Sequence, residues 1–228
     1  MIHRVGLLLV GLVTLAIPAP VAAGPISYSD MGSFQAASAG RSSIDFSGMV
    51  QSRQFVPYPT PGGLSVDGVT FSIANPVAGD ALNVTANNYY PGTTYARNFL
   101  VDAYVPSANT LTVTITLPTP STAFGIDLGT FKGAGLSFAF SNGDKYYQVG
   151  SATFGETQFD GFTFSSPVTS VSVTEARSGG EALVIDNVQY GVAAPEPASF
   201  ALFASGLLAI GCRRVLGRRT TEGRRPAL

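Results

Sequence analysis

Histidine and cysteine are almost absent from this chain, one of each in 228 residues, and tryptophan is missing altogether. Both rare residues, His3 and Cys212, lie near the ends, so residues 24–194 contain neither. That excludes a disulfide within this stretch, Ser-His-Asp or Cys-His nucleophilic sites, and zinc sites built on His or Cys. Charge is scarce too, at 12%. Residues 24–194 hold six Lys and Arg against twelve Asp and Glu, a net of −6 that the overall value of −1 hides. An acidic body repels phosphate backbones, which argues against nucleic acid as a partner.

Long hydrophobic runs occur only at the two ends. Residues 5–17 follow Arg4 and precede the small residues Val21 and Ala23, the three-part pattern of a secretory signal. Cleavage is expected between Ala23 and Gly24, because this run is too short to cross roughly 30 Å of hydrocarbon as a helix. Near the other end, residues 198–212 form a second apolar run of fifteen residues, preceded by Pro195, Glu196 and Pro197 and followed by Arg213, Arg214, Arg218 and Arg219. As a helix it would span roughly 22 Å. The prolines hold the entry extended, in a form a protease can grip, and the arginines hold the far side in the cytoplasm.

This constellation resembles the PEP-CTERM sorting signal of Gram-negative bacteria. The resemblance implies export through the inner membrane by way of signal peptidase, a transient C-terminal membrane anchor, and processing by an exosortase that recognises the motif. It also implies a final location at the cell surface or outside the cell, in a setting of exopolysaccharide and biofilm. The last residues, "TTEGRRPAL", make a longer tail than such signals usually have. Four regions follow: a signal peptide (1–23), an extracellular domain (24–194), the sorting segment (195–219) and a cytoplasmic tail (220–228).

The domain reads as all-β. Short alternating runs rich in Gly, Thr, Ser, Val and Phe are punctuated by turn residues. In "TLTVTITL" (110–117) the apolar Leu111, Val113, Ile115 and Leu117 share one face and the threonines the other. Further strands are expected at 43–47, 68–74, 81–86, 99–105, 122–128, 136–141, 145–150, 157–165, 168–174 and 182–190. One short helix over 31–37 is capped by Ser29-Asp30 and stopped by Gly40. "SNGD" (141–144) suits a type I′ hairpin, and "PYPTPGG" (57–63) reads as a surface loop. The fold class is a two-sheet antiparallel β-sandwich, jelly-roll-like, or another sandwich or barrel topology. A signal helix and a C-terminal hydrophobic helix flank it. The phrases "SIDFSG", "GVTF", "FGIDLG", "FDGFTFSSPVTSVSV" and "LVIDNVQYG" are similar to domains often found ahead of this sorting signal.

No catalytic residues are expected, and the protein is read as non-enzymatic. Glu156, Glu175 and Glu181, the only glutamates in the domain, are expected at the surface; a glycosidase would need two of them paired across a cleft. Asp127 and Asp186 lie in apolar strands and need partners, either a bound calcium ion or hydrogen bonds from amides and arginine. No other cofactor is implied. "NNYYPGTTY" places Tyr89, Tyr90 and Tyr95 where they could stack on sugar rings, and Tyr146-Tyr147 forms a second candidate with one ring in the core. Such tails are sometimes labelled as ice-binding, but that needs neighbouring rows of threonine, and "TLTVTITL" is the only Thr-x-Thr-x-Thr row. The leading expectation is a structural or adhesive surface protein of the exopolysaccharide layer; a carbohydrate- or calcium-binding module and a carboxylate-type glycoside hydrolase are the alternatives.

Overall fold

The computed structural model describes residues 24–60, 62–76, 80–90, 95, 97–102, 110–130, 134–150, 152, 155–176 and 183–194. The signal run, Ala23, the Pro195-Glu196-Pro197 segment, the second apolar run and the arginines after it lie outside the described residues. Among the described residues no helix is long and apolar enough to cross a membrane.

The elements in order are β1 (Ile26–Tyr28), α1 (Met31–Ala36), β2 (Ser38–Ile44), β3 (Phe55–Pro59), β4 (Leu64–Val66), β5 (Val69–Ile73) and β6 (Ala81–Thr85). Then come β7 (Phe99–Asp102), β8 (Thr110–Thr130), β9 (Leu136–Phe140), β10 (Lys145–Gln148), β11 (Gln158–Ala176) and β12 (Leu183–Ala193). Among the described residues every pairing between these strands is antiparallel, as the alternating pattern predicts.

The expected pairs 110–117 with 122–128, and 157–165 with 168–174, are instead two long strands, β8 and β11. They pair along most of their length, with register shifts between Thr163 and Ser170. Pro118 and Pro120 in β8 and Pro167 in β11 lie where the ladder is interrupted, since proline cannot donate to it. The ribbon thus contributes to both layers of a β-sandwich. The front layer joins residues 110–117 and 168–176 to β5 and β4 on one side and to β9 and β10 on the other. The back layer joins 121–130 and 158–163 to β1 and β12, and beyond β12 to β2 and the run β7, β6, β3. Phe71, Ile115, Phe124, Ile126, Phe138, Phe162 and Ile185 meet in one buried core.

Strand β8 shows the difference between the layers. Residues 110–117 alternate in burial, while 123–126 are buried without a break. There α1 covers the outer side of the back layer through Phe34, which joins Ala123 and Phe159 in a second cluster. The helix begins where its cap predicts: the Asp30 carboxylate accepts a 2.8 Å hydrogen bond from the Ser33 N–H.

Three local expectations are corrected. The strand expected at 43–47 lies earlier, as β2. Part of the proline-rich 57–63 stretch is a strand, β3, at the end of the run through β6 and β7. The Ala86 N–H donates to the Gln54 carbonyl, so by alternation Val56 and Tyr58 turn their backbone groups toward β6, while the nitrogens of Pro57 and Pro59 point outward. Finally, "SNGD" is not a type I′ turn. Gly143 alone has positive φ, at 95°, and its N–H donates to the Phe140 carbonyl, giving a three-residue loop in place of a two-residue one. The short strands β1 and β4 carry too little pattern to be read from sequence.

Candidate functional site

Asp127 on β8 and Asp186 on β12 stand directly opposite each other. Their neighbours Ile126, Leu128 and Ile185 face the core, so the two carboxylates project together from the back layer. Arg97 reaches them, 3.4 Å from Asp186 and 4.0 Å from Asp127, and lies 3.9 Å from the exposed Asp45. Asn187, at φ 48°, forms the bulge that breaks the β12–β8 register. Its backbone N–H donates to Asp186 at 2.7 Å, its side-chain amide donates to Asp127 at 3.0 Å, and Gln189 donates to its carbonyl oxygen at 3.2 Å. Arginine and amides thus serve both acids. Burial still dominates, pushing Asp127 above its ordinary value and Asp186 up to about 6, against the opposing pull of Arg97.

Calcium takes six to eight oxygen ligands, and these carboxylates are already engaged by a guanidinium and amide donors. Among the described residues no group of three or more His, Cys, Asp or Glu is placed to hold a metal ion. The donor set therefore does not fit calcium. Asp160 belongs to the same neighbourhood but points the other way. It pairs with Ile126 and alternates with Phe159, which faces α1, so its carboxyl enters the core side. Burial first, and Asp127 second, push it up to about 7. Sequence reading passed over Asp160 within "FDGFTF"; a lone acid between aromatic residues was the available signal.

The three tyrosines of "NNYYPGTTY" separate. Tyr95 is buried, and its hydroxyl accepts a 3.0 Å hydrogen bond from the Gly155 N–H. Packed on Phe99, it offers no face to a sugar, which corrects its expected role. Tyr89 and Tyr90 are half-buried and meet edge to face at 4.8 Å, and Tyr89 meets Phe55 the same way at 5.3 Å. These rings form a ladder that anchors the loop to β3 rather than a set of parallel platforms.

The Tyr146-Tyr147 pair separates as alternation predicts. Tyr146 packs on Phe138 and Phe162, while Tyr147 is 66% exposed on the outer face of the front layer. Beside it runs a shallow groove of about 400 Å³ whose lining includes Ser137, Ala139 and Lys145. Cross-strand register carries this face through three rows of small side chains. Tyr147 aligns with Ser137, Thr174 and Thr112. Lys145 aligns with Ala139, Ser172, Thr114 and Ser72. Ser170 aligns with Thr116, Thr70 and Ser65. The hydroxyls of Thr112 and Thr174 lie 2.8 Å apart, and those of Thr114 and Ser172 3.0 Å apart. Neighbouring rows thus exist, built from Ser-x-Ser-x-Thr, which a search for a second Thr-x-Thr-x-Thr row overlooks.

The glutamates do not form a visible pair. Glu156 is exposed, Glu175 is fully buried on the core side of β11 and so is not the surface carboxylate expected, and Glu181 lies outside the described residues. At the end of the domain, the Ala193 N–H donates to the Thr122 hydroxyl at 2.7 Å and the Ala194 N–H to the Ala37 carbonyl at 2.8 Å. The chain is therefore held in the sheet up to the residue before Pro195.

Residues 193–215 match the PEP-CTERM protein-sorting motif. The PEP-CTERM segment thus overlaps the last residue of β12. No curated protein sequence matches the chain closely enough to count as a relative. Among solved structures, a family 29 carbohydrate binding module is similar at 13% identity and a TM-score of 0.37, covering 64% of this chain and 96% of its own. A variant of that module complexed with cellulohexaose gives 12% and 0.38, with coverage of 67% and 93%. The enzymatically active domain of a bacteriophage CBA120 tailspike protein gives 16% and 0.34, covering 59% of this chain and 21% of its own.

Proposed function

We propose that this is an exported β-sandwich protein delivered to the surface of a Gram-negative cell, where it has a non-enzymatic, adhesive role in the polysaccharide layer. In this reading signal peptidase cuts between Ala23 and Gly24. An exosortase then acts at Pro195, Glu196 and Pro197, while the apolar run and Arg213 and Arg214 hold the chain in the membrane. The PEP-CTERM match over residues 193–215 carries the proposal. Its position supports it: the matched segment begins at the last residue of β12, so the strands of the sandwich precede the motif in sequence.

The test is intact mass and C-terminal peptide mapping of the protein from its native host, in cell and medium fractions. A chain that begins at Gly24, ends close to Pro195 and lacks the arginines supports the reading. Retention of Leu228 in the membrane fraction makes the second run a plain anchor and removes the support for a matrix role.

A further inference from the structure

We propose that the outer face of the front layer, from the Tyr147 ring across the serine and threonine rows to β5, is a docking surface for a neutral polysaccharide chain lying flat across the strands. The inference deepens the reading given above and rests on it for the class of polymer.

The first support is the character of the face. From β4 to β9 its aligned positions are Ser, Thr or Ala, with Lys145 at one border as the only charge in the three rows. A polyanion would find one cation there, on a domain of net −6. A protein partner would find one exposed ring, Tyr147, at the border and only small side chains at the centre, where such an interface has its anchors. A neutral sugar polymer needs neither.

The second support is hydrogen-bonding capacity. Each hydroxyl donates once and accepts twice. Within Thr112–Thr174, and within Thr114–Ser172, the mutual bond uses one proton, so each pair still presents one donor and spare acceptors outward. These bonds also orient the hydroxyls beforehand, which lowers the entropy lost on binding. The aligned positions of the rows repeat at roughly 4.8 Å across strands and roughly 6.8 Å along them, a grid on which the ring hydroxyls of a flat chain find partners at several points.

The third support is Tyr147. Its ring is 66% exposed and no other described aromatic ring contacts it, while the adjacent Tyr146 is spent on the core. It stands at the border of the groove lined by Ser137, Ala139 and Lys145. An exposed ring beside a bed of hydroxyls suits a sugar, whose C–H face stacks while its edges hydrogen-bond.

The test is co-sedimentation of the detergent-solubilised full chain with amorphous cellulose and with neutral exopolysaccharide from the host, using alginate as the polyanion. The expected result is retention on at least one neutral polymer. Tyr147→Ala, and Thr116→Lys on the exposed third row, should each lower retention by about tenfold, the scale of one lost stacking or packing contact. Phe55→Ala, on the tyrosine ladder, should leave it unchanged, with melting temperatures of Tyr147→Ala and Thr116→Lys similar to that of the wild type. Equal retention of Tyr147→Ala and Thr116→Lys overturns the proposal. So does absence of wild-type binding to both neutral polymers, preferential retention on alginate, or failure on polysaccharide combined with shaping of ice crystals. C-terminal mapping reads out sorting separately, so a correctly processed chain that fails these assays overturns the docking surface alone.

Discussion

Gly125 and Gly161 stand opposite each other across β8 and β11, and the rings of Phe34 and Phe159 occupy the space that side chains there would take. A Cβ at either position would lie 2.8 Å from a Phe34 ring atom. The two glycines are the seat into which α1 locks. Gly161→Ala should lower stability by about 1–3 kcal/mol through overpacking, and Phe34→Ala by about 3–5 kcal/mol. In a double-mutant cycle followed by chemical denaturation, the alanine penalty should shrink once Phe34 is gone. Additive losses would show that the ring is not what the alanine meets.

The buried acids Asp160 and Asp186 should give stability a pH slope. Asp160 is pushed up from 3.8 to about 7 and Asp186 to about 6, so between these values and 3.8 the folded protein holds protons that the unfolded chain releases. Stability therefore falls as pH rises from about 4 through about 7, then levels off. Asp160→Asn mimics the protonated acid. It should raise the melting temperature at about pH 8 and flatten the slope between about pH 5 and pH 8. Calorimetry at a series of pH values reads this directly, and an unchanged slope would place the effect elsewhere.

Arg97 is the cation for Asp127 and Asp186. Arg97→Met should destabilise the domain more at about pH 8, where the acids are ionised, than at about pH 5, where proton uptake relieves them. Because the guanidinium already serves both carboxylates, calcium or a chelator should leave the wild-type melting temperature unchanged. A fall on adding chelator would restore calcium as the partner.

Pro57 and Pro59 remove two outward N–H groups from the side of β3 that pairs with no other described strand, where Phe55 and Val56 are exposed. The double variant Pro57→Thr, Pro59→Thr should keep the fold and add edge donors, raising light scattering at high concentration. Equal scattering would mean that the edge is covered by something else.

Most of the fold could be read from period-two alternation, and "TLTVTITL" is the clearest case, with its leucine face in the core and its threonine face outward. The Asp30 cap was equally legible, because capping is local chemistry. What could not be read was long-range. Tyr95 lies in a loop-like stretch yet turns inward, because Gly155, distant in sequence, supplies its hydrogen bond. Asn187 makes a bulge that is defined only against β8. The serines of β11 form part of a hydroxyl grid only once their register with Thr112, Thr114 and Thr116 is known. Proline in "PYPTPGG" misled for a physical reason: it forbids a central strand, and an edge strand tolerates it.

The hydrogen bonds of Ala193 and Ala194 bear on how the domain carries mechanical load. Under the proposed attachment through the residues beyond Ala194, tension would enter along the axis of β12, whose ladders with β8 and β2 run parallel to that pull. When the opposing drag falls on the front layer, these ladders would be strained together in shear rather than unzipped singly. Shear loading of whole ladders is the geometry in which a β-sheet yields least readily to a pull.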